Sequence, residues 1–70
     1  MPNLPIIKQL EEELKKLEKE LRIDLPKELQ KVAAYGDLSE NAEYKATKER
    51  QFYLQARIAQ LHQRINTLST

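Results

Sequence analysis

Leu10-Glu11-Glu12-Glu13-Leu14-Lys15-Lys16-Leu17-Glu18-Lys19-Glu20-Leu21 decides the fold. Its leucines are spaced four, three and four residues apart, the seam of a helix that packs along its length on another helix. Every residue between them is Glu or Lys, with Glu11 to Lys15 and Glu12 to Lys16 four apart, the spacing for pairs along a solvated helix face. So narrow an apolar stripe cannot be buried by its own helix. A second stripe lies in the other half of the chain: Leu54, Ile58, Leu61, Ile65 and Leu68 again alternate four and three. Followed backward, that register passes through Gln51, Thr47 and Tyr44, so the second seam turns polar toward its start.

The first periodic segment covers about residues 7–34 and the second about 39–68, leaving 35–38 as a short connection. The single glycine, Gly36, falls in that connection, where the left-handed residue that ends a helix is most easily supplied. A short link makes the two helices antiparallel neighbours. The expected fold is all-α: a two-helix antiparallel coiled-coil hairpin forming one domain over residues 1–70, without a C-terminal globular domain. The alternative is a dimer in which the stripes pair between chains. Pro26 interrupts the first segment, since a mid-helix proline removes a backbone bond and crowds the preceding turn. A kink or break is expected at about 24–26, with Asp24 placed to cap a renewed helical start; the helix then resumes through Leu29 and Val32.

A third of the residues are charged, yet the net charge is +1, which argues against a generic nucleic-acid binder. There is no cysteine, and His62 is the one histidine, so a structural zinc site is not expected. No run approaches the ~18 apolar residues of a membrane span, and residues 1–7 lack the basic start and apolar stretch of a secretory signal. The expected location is the cytoplasm, with no membrane partner. Seventy residues leave room for only a small core.

The connection reads Gly36-Asp37-Leu38-Ser39-Glu40-Asn41-Ala42-Glu43-Tyr44. Asp37 and Glu40, three apart at a helix start, have two readings. One is a capping-box pattern, in which Asp37 accepts from a free backbone N–H and Glu40 reaches back; acids there also suit the helix dipole. The other is a pair of hard oxygen ligands for Mg²⁺. Two carboxylates do not complete an octahedral shell, so a partner would supply the remaining ligands. A stand-alone nuclease is not expected, because no base, lysine or third ligand completes such a site.

This nine-residue string, continued by Lys45-Ala46-Thr47-Lys48-Glu49-Arg50-Gln51, resembles the tip signature of bacterial Gre transcript-cleavage factors, and Arg57-Ile58 with Leu61 and Ile65 continues the family's second-helix pattern. The resemblance is clear over about residues 34–65 and is mostly Leu and Glu periodicity before that. It implies a transcription elongation factor domain, not itself an enzyme, whose coiled coil inserts into the secondary channel of bacterial RNA polymerase. Its tip acids would help hold the second Mg²⁺ over a backtracked RNA 3′ end, so that the polymerase cleaves its own transcript. By position, Asp37 and Glu40 take the metal-facing roles, Mg²⁺ being shared with the polymerase and not held tightly by the domain alone. Gly36, Leu38, Asn41, Glu43 and Tyr44 belong to the signature, with tip shaping or RNA-end contact implied for the last three. Family members carry a further globular domain, and often a basic residue just before the tip glycine, where this chain has Ala33, Ala34 and Tyr35; Lys48 falls where a basic residue is usual.

Lys45, Lys48, Arg50 and Arg57 are the candidate RNA or channel contacts. Arg50, Arg57 and Arg64 share a face, seven apart, and either pair with the Glu-rich first helix or present a basic stripe. Phe52 and Tyr53 are adjacent, so one is expected to pack on the first helix and the other to be partly exposed. Tyr35 and Tyr44 are expected to pack across the hairpin mouth. His62 is expected to face solvent without a role. Beside cleavage stimulation, two other functions fit the same residues: a channel-binding polymerase regulator without cleavage, and a plain coiled-coil module. The free domain is expected to be monomeric, with a dimer as the alternative.

Overall fold

The computed structural model describes residues 4–34 and 41–70. Helix α1 is Leu4–Lys19, followed without a break by a π-helical turn, Glu20–Asp24, and by helix α2, Leu25–Ala33; helix α3 is Ala42–Ser69. Both α1 and α2 pack on α3. Ion pairs join residue 13 to residue 57 and residue 20 to residue 50, so numbering falls along one arm as it rises along the other and the arms are antiparallel. The molecule is a rod of 54 × 16 × 11 Å. The expected helical hairpin is what forms, and none of the described helices is long and apolar enough to cross a membrane.

The seam is the core. From α1 it takes Ile7, which is buried, and Leu10, Leu14 and Leu17, which are half-buried. Leu21, in the π turn, is half-buried too. From α3 it takes Leu54 and Leu61, at 0% and 1% exposure, with Ile58, Ile65 and Leu68 half-buried around them. Toward the start of α3 the polar register is also buried at Thr47. That hydroxyl donates to the Glu43 carbonyl at 2.8 Å, so no polar atom is stranded.

The π turn has a cause legible in the residue numbers. A strict heptad continued from Leu10, Leu14, Leu17 and Leu21 would next place residues 24, 28 and 31 on the seam. The apolar residues are instead Leu25, Leu29 and Val32, each one later. In an α-helix one extra residue rotates everything after it by about 100°, which would carry Leu25 and Val32 off α3. The π turn absorbs that residue: the Leu25 N–H bonds the Glu20 carbonyl, five residues back. Leu25 and Val32 are buried as a result, Val32 at 0% exposure. Pro26 sits at the start of α2, where its missing N–H costs least and the widened turn ahead of it gives the ring room. The bend expected beside Pro26 is therefore a register correction centred just before it. Asp24 does not cap a new helix: its backbone is helical, at φ −71° and ψ −45°, and its side chain makes no capping bond.

Two surface expectations are corrected. Phe52 and Tyr53 are both exposed, at 70% and 53%, because the seam steps from Gln51 to Leu54 and neither intervening position faces α1. The Glu11–Lys15 and Glu12–Lys16 pairs do not close: among the described residues every ion pair runs between the arms. Long exposed side chains gain little from pairing along one helix.

Two outcomes follow from this packing. Deleting Ile23 together with Pro26→Ala turns 25, 29 and 32 back into heptad positions, so the variant should form an uninterrupted first helix with an unchanged midpoint in thermal circular dichroism, whereas inserting an alanine after Arg22 should unfold the hairpin near its mouth. Leu54→Ala should cost about 2–5 kcal/mol, enough to unfold a domain whose core supplies only a few, while Phe52→Ala should leave the melting curve in place.

Candidate functional site

The tip acids Asp37 and Glu40, with Tyr35, Gly36, Leu38 and Ser39, lie outside the described residues. The structure describes the two ends between which they run. Helix α2 stops at Ala33, and Ala34, still helical at φ −73° and ψ −11°, donates its N–H to the Lys31 carbonyl at 3.3 Å. Helix α3 starts at Ala42, slightly later than the expected residue 39, and its N-cap is Asn41, extended at φ −81° and ψ 108°. The cap of α3 is thus Asn41; the capping role read into Asp37 lies outside the described residues.

Asn41 serves both helices. Its Oδ1 accepts from the Tyr44 N–H at 3.0 Å, satisfying one of the four free donors at the start of α3. Its Nδ2 donates at 3.2 Å to the carbonyl of Val32, in the last turn of α2, which the Ala34 N–H also faces. Its own carbonyl accepts the first helical bond, from the Lys45 N–H at 3.1 Å. Val32 is wholly buried directly beneath, so the clamp stands on the last core layer. Glu43 adds an acid to the first turn of α3, where the dipole favours it. Tyr44 is half-buried at the mouth.

Of the candidate cations, Lys45 is exposed and Lys48 half-buried. Arg50 and Arg57 are used to hold the arms together. The Arg50 guanidinium grips the Glu20 carboxylate through two bonds, Nε to Oε2 at 2.7 Å and Nη2 to Oε1 at 2.9 Å, and lies 5.0 Å from the centre of the Tyr53 ring. Arg57 holds Glu13 through Nε and Nη2 at 3.2 and 3.4 Å and reaches Gln60 Oε1 at 3.4 Å. Of the two readings of this stripe, pairing with the first arm is what the structure shows for Arg50 and Arg57; Arg64 has no ion pair among the described residues. His62 faces solvent as expected, but its Nε2 lies 3.2 Å from Glu18 Oε1. The hydrogen bond from Arg50 holds the Glu20 carboxyl below its usual range, outweighing partial burial, and the same bond raises Arg50.

Among the described residues no group of three or more Asp, Glu, His or Cys is gathered to hold a metal ion. The oxygen donors of Asp37 and Glu40 suit Mg²⁺ in kind and fall short in number, so they fit a shared ion and not a cage of this chain's own.

The family model described as transcription elongation factor, N-terminal (GreA and GreB), matches residues 6–69. Among curated proteins, the chain is 41% identical over 70 residues to transcription elongation factor GreA of Pelobacter propionicus, covering 90% of this chain and 42% of that protein. It is 43% identical over 65 residues to GreA of Anaeromyxobacter sp., covering 87% and 39%, and 47% identical over 53 residues to GreA of Wolinella succinogenes, covering 76% and 33%. The chain thus spans about two fifths of the length of the first of these relatives. No solved structure matches it.

The Glu20–Arg50 bond gives the arms a pH dependence of known sign. Glu20 is lowered in the folded state, so its contribution is present above the unfolded carboxyl value of about 4.3 and is lost as the pH falls through the lower folded-state value. Denaturant melts across the acid range should show wild type above Glu20→Gln at neutral pH and the two curves merging in acid; equal curves at neutral pH would show the bond to be without effect, and a gap that persists at the lowest pH would place the loss outside the ionised bond.

Proposed function

The chain belongs to the GreA/GreB transcription elongation factor family, and on that premise we propose that it is the hairpin of a transcript-cleavage factor that works inside bacterial RNA polymerase, in the cytoplasm. The rod enters the secondary channel tip first and brings Asp37 and Glu40 to a backtracked RNA 3′ end. The observation that carries this reading is the family match over residues 6–69, which spans both arms and the acidic string between them. The 54 Å length and 16 × 11 Å section support it, since a probe must be long and thin to reach a buried centre.

In this reading Asp37 and Glu40 are the residues that hold Mg²⁺ jointly with the polymerase's own ligands. Bound there, the ion would supply charge stabilisation to an in-line displacement at the RNA phosphate. The chain's own work is to deliver two carboxylates at a fixed reach, with Lys45 and Lys48 on the first turns of α3 available to RNA phosphates. Two acids without a base do not make an enzyme, so the hydrolysis belongs to the polymerase.

The ion pairs of Arg50 and Arg57 favour a second reading, because cations engaged with Glu20 and Glu13 are less available to RNA. In that reading the chain occupies the channel and modulates the polymerase without cleavage.

The test is to add the chain in excess to backtracked elongation complexes with Mg²⁺ and follow RNA length. Release of short 3′ fragments is expected, and the Asp37→Asn, Glu40→Gln variant should abolish it while retaining helicity and polymerase binding. Cleavage undiminished in that variant would sink the tip-acid mechanism; binding without cleavage by the wild-type chain would select the modulator.

A further inference from the structure

The six residues 35–40 join Ala34 to Asn41, and whatever Asp37 and Glu40 do, their reach is set by how those two ends are held. A chain of six residues has many arrangements when its ends move independently and few when they are tied. Beyond the packing of α2 on α3, the described residues tie these ends through one side chain. Asn41 directly follows Glu40, and its amide bonds the Val32 carbonyl of α2 at 3.2 Å and the Tyr44 N–H of α3 at 3.0 Å. These bonds use both halves of the amide, oxygen to one helix and nitrogen to the other, so a residue with one function alone reproduces only half of the tie. No ion pair crosses nearer the mouth than Arg50–Glu20 among the described residues.

We propose that Asn41 is a positioning residue for the tip acids: by locking the end of α2 to the start of α3 it fixes where Asp37 and Glu40 are presented. This rests on the reading that those acids act at the polymerase centre. The role differs from capping. Serine caps a helix as well as asparagine does, but its single Oγ, one bond nearer the backbone than the amide nitrogen, does not reach the Val32 carbonyl while it accepts from Tyr44. Asn41→Ser therefore keeps the cap and cuts the tie, and Asn41→Ala removes both.

The experiment has two arms. In the first, nitroxide labels on cysteines replacing the exposed Gln30 and Ala46 report the distance distribution between the ends of the arms in the chain alone. In the second, unlabelled variants are added to backtracked complexes, and the cleavage rate is followed against Mg²⁺ concentration, with helicity and melting recorded. For Asn41→Ser, melting close to wild type is expected, with a broadened distance distribution, cleavage reduced about tenfold and a higher Mg²⁺ concentration for half-maximal rate. A loss of folded protein alone would lower the rate without moving that Mg²⁺ midpoint, and such a result overturns the proposal. A distance distribution as narrow as wild type also overturns it. The Asp37→Asn, Glu40→Gln variant separates the two failures: if it is inactive while Asn41→Ser cleaves normally, positioning by Asn41 is wrong and the tip acids stand. If it cleaves normally, the acid reading is wrong and the positioning role falls with it, whatever the label distances show.

Discussion

Two narrow apolar stripes, each with only the other to be buried against, underlie every other feature of this molecule. Among the described residues no third layer covers an error, so the stripes must stay face to face from Ile7 to Val32 on one side and from Thr47 to Leu68 on the other. That requirement outranks regular helix geometry. One residue too many between Leu21 and Leu25 is accommodated by breaking the α-helical bond pattern at Glu20–Asp24 and not by letting Leu25 and Val32 turn to water. Local hydrogen-bond geometry is the cheaper thing to distort, because a π turn still satisfies most of its backbone groups, whereas two leucine-sized side chains turned outward would forfeit burial along a whole arm.

Charge is arranged around this seam, and the arrangement sorts functions. Glu13, Glu18 and Glu20 on the first arm face Arg57, His62 and Arg50 on the second. Arg50, Arg57 and His62 thus serve the hairpin, while Lys45 and Lys48, nearer the tip, make no ion pair among the described residues. A net charge near zero conceals this gradient, which is visible only when each charge is placed on its arm.

Much of the fold could be read from residue spacing. The four-three alternations at Leu10–Leu21 and Leu54–Leu68 mark the two arms that the structure packs together. The π turn was also present in the numbers, as the one-residue skip from Leu21 to Leu25, Leu29 and Val32, but Pro26 offers a more familiar explanation for an interruption and draws attention away from register. Adjacency alone leaves one of Phe52 and Tyr53 for the core, but the seam positions on either side, Gln51 and Leu54, put both outside it. The site is legible as a string more than as a shape. Asn41 reads as one letter of a signature, and nothing in one dimension reveals that its amide spans two helices, since Val32 lies nine residues away at the end of α2. Likewise Asp37 followed by Glu40 matches a capping box, and the true cap of α3 is one residue beyond it.

A hairpin of two matched arms has a rival that satisfies every seam contact equally well: two copies that open and trade arms. Leucines, ion pairs and the π turn are indifferent to this exchange, because each would find the same partner on another molecule. The start of α3 is not indifferent. In an opened chain running straight from α2 into α3, residue 41 would sit in mid-helix, its backbone would leave the extended conformation it has here, and its amide would lose the bond to the Val32 carbonyl. Asparagine is a poor occupant of such a position and a good one of a cap. One amide at the mouth thereby suits a chain that folds back at this point better than one that runs straight through it, a distinction to which the long sides are blind.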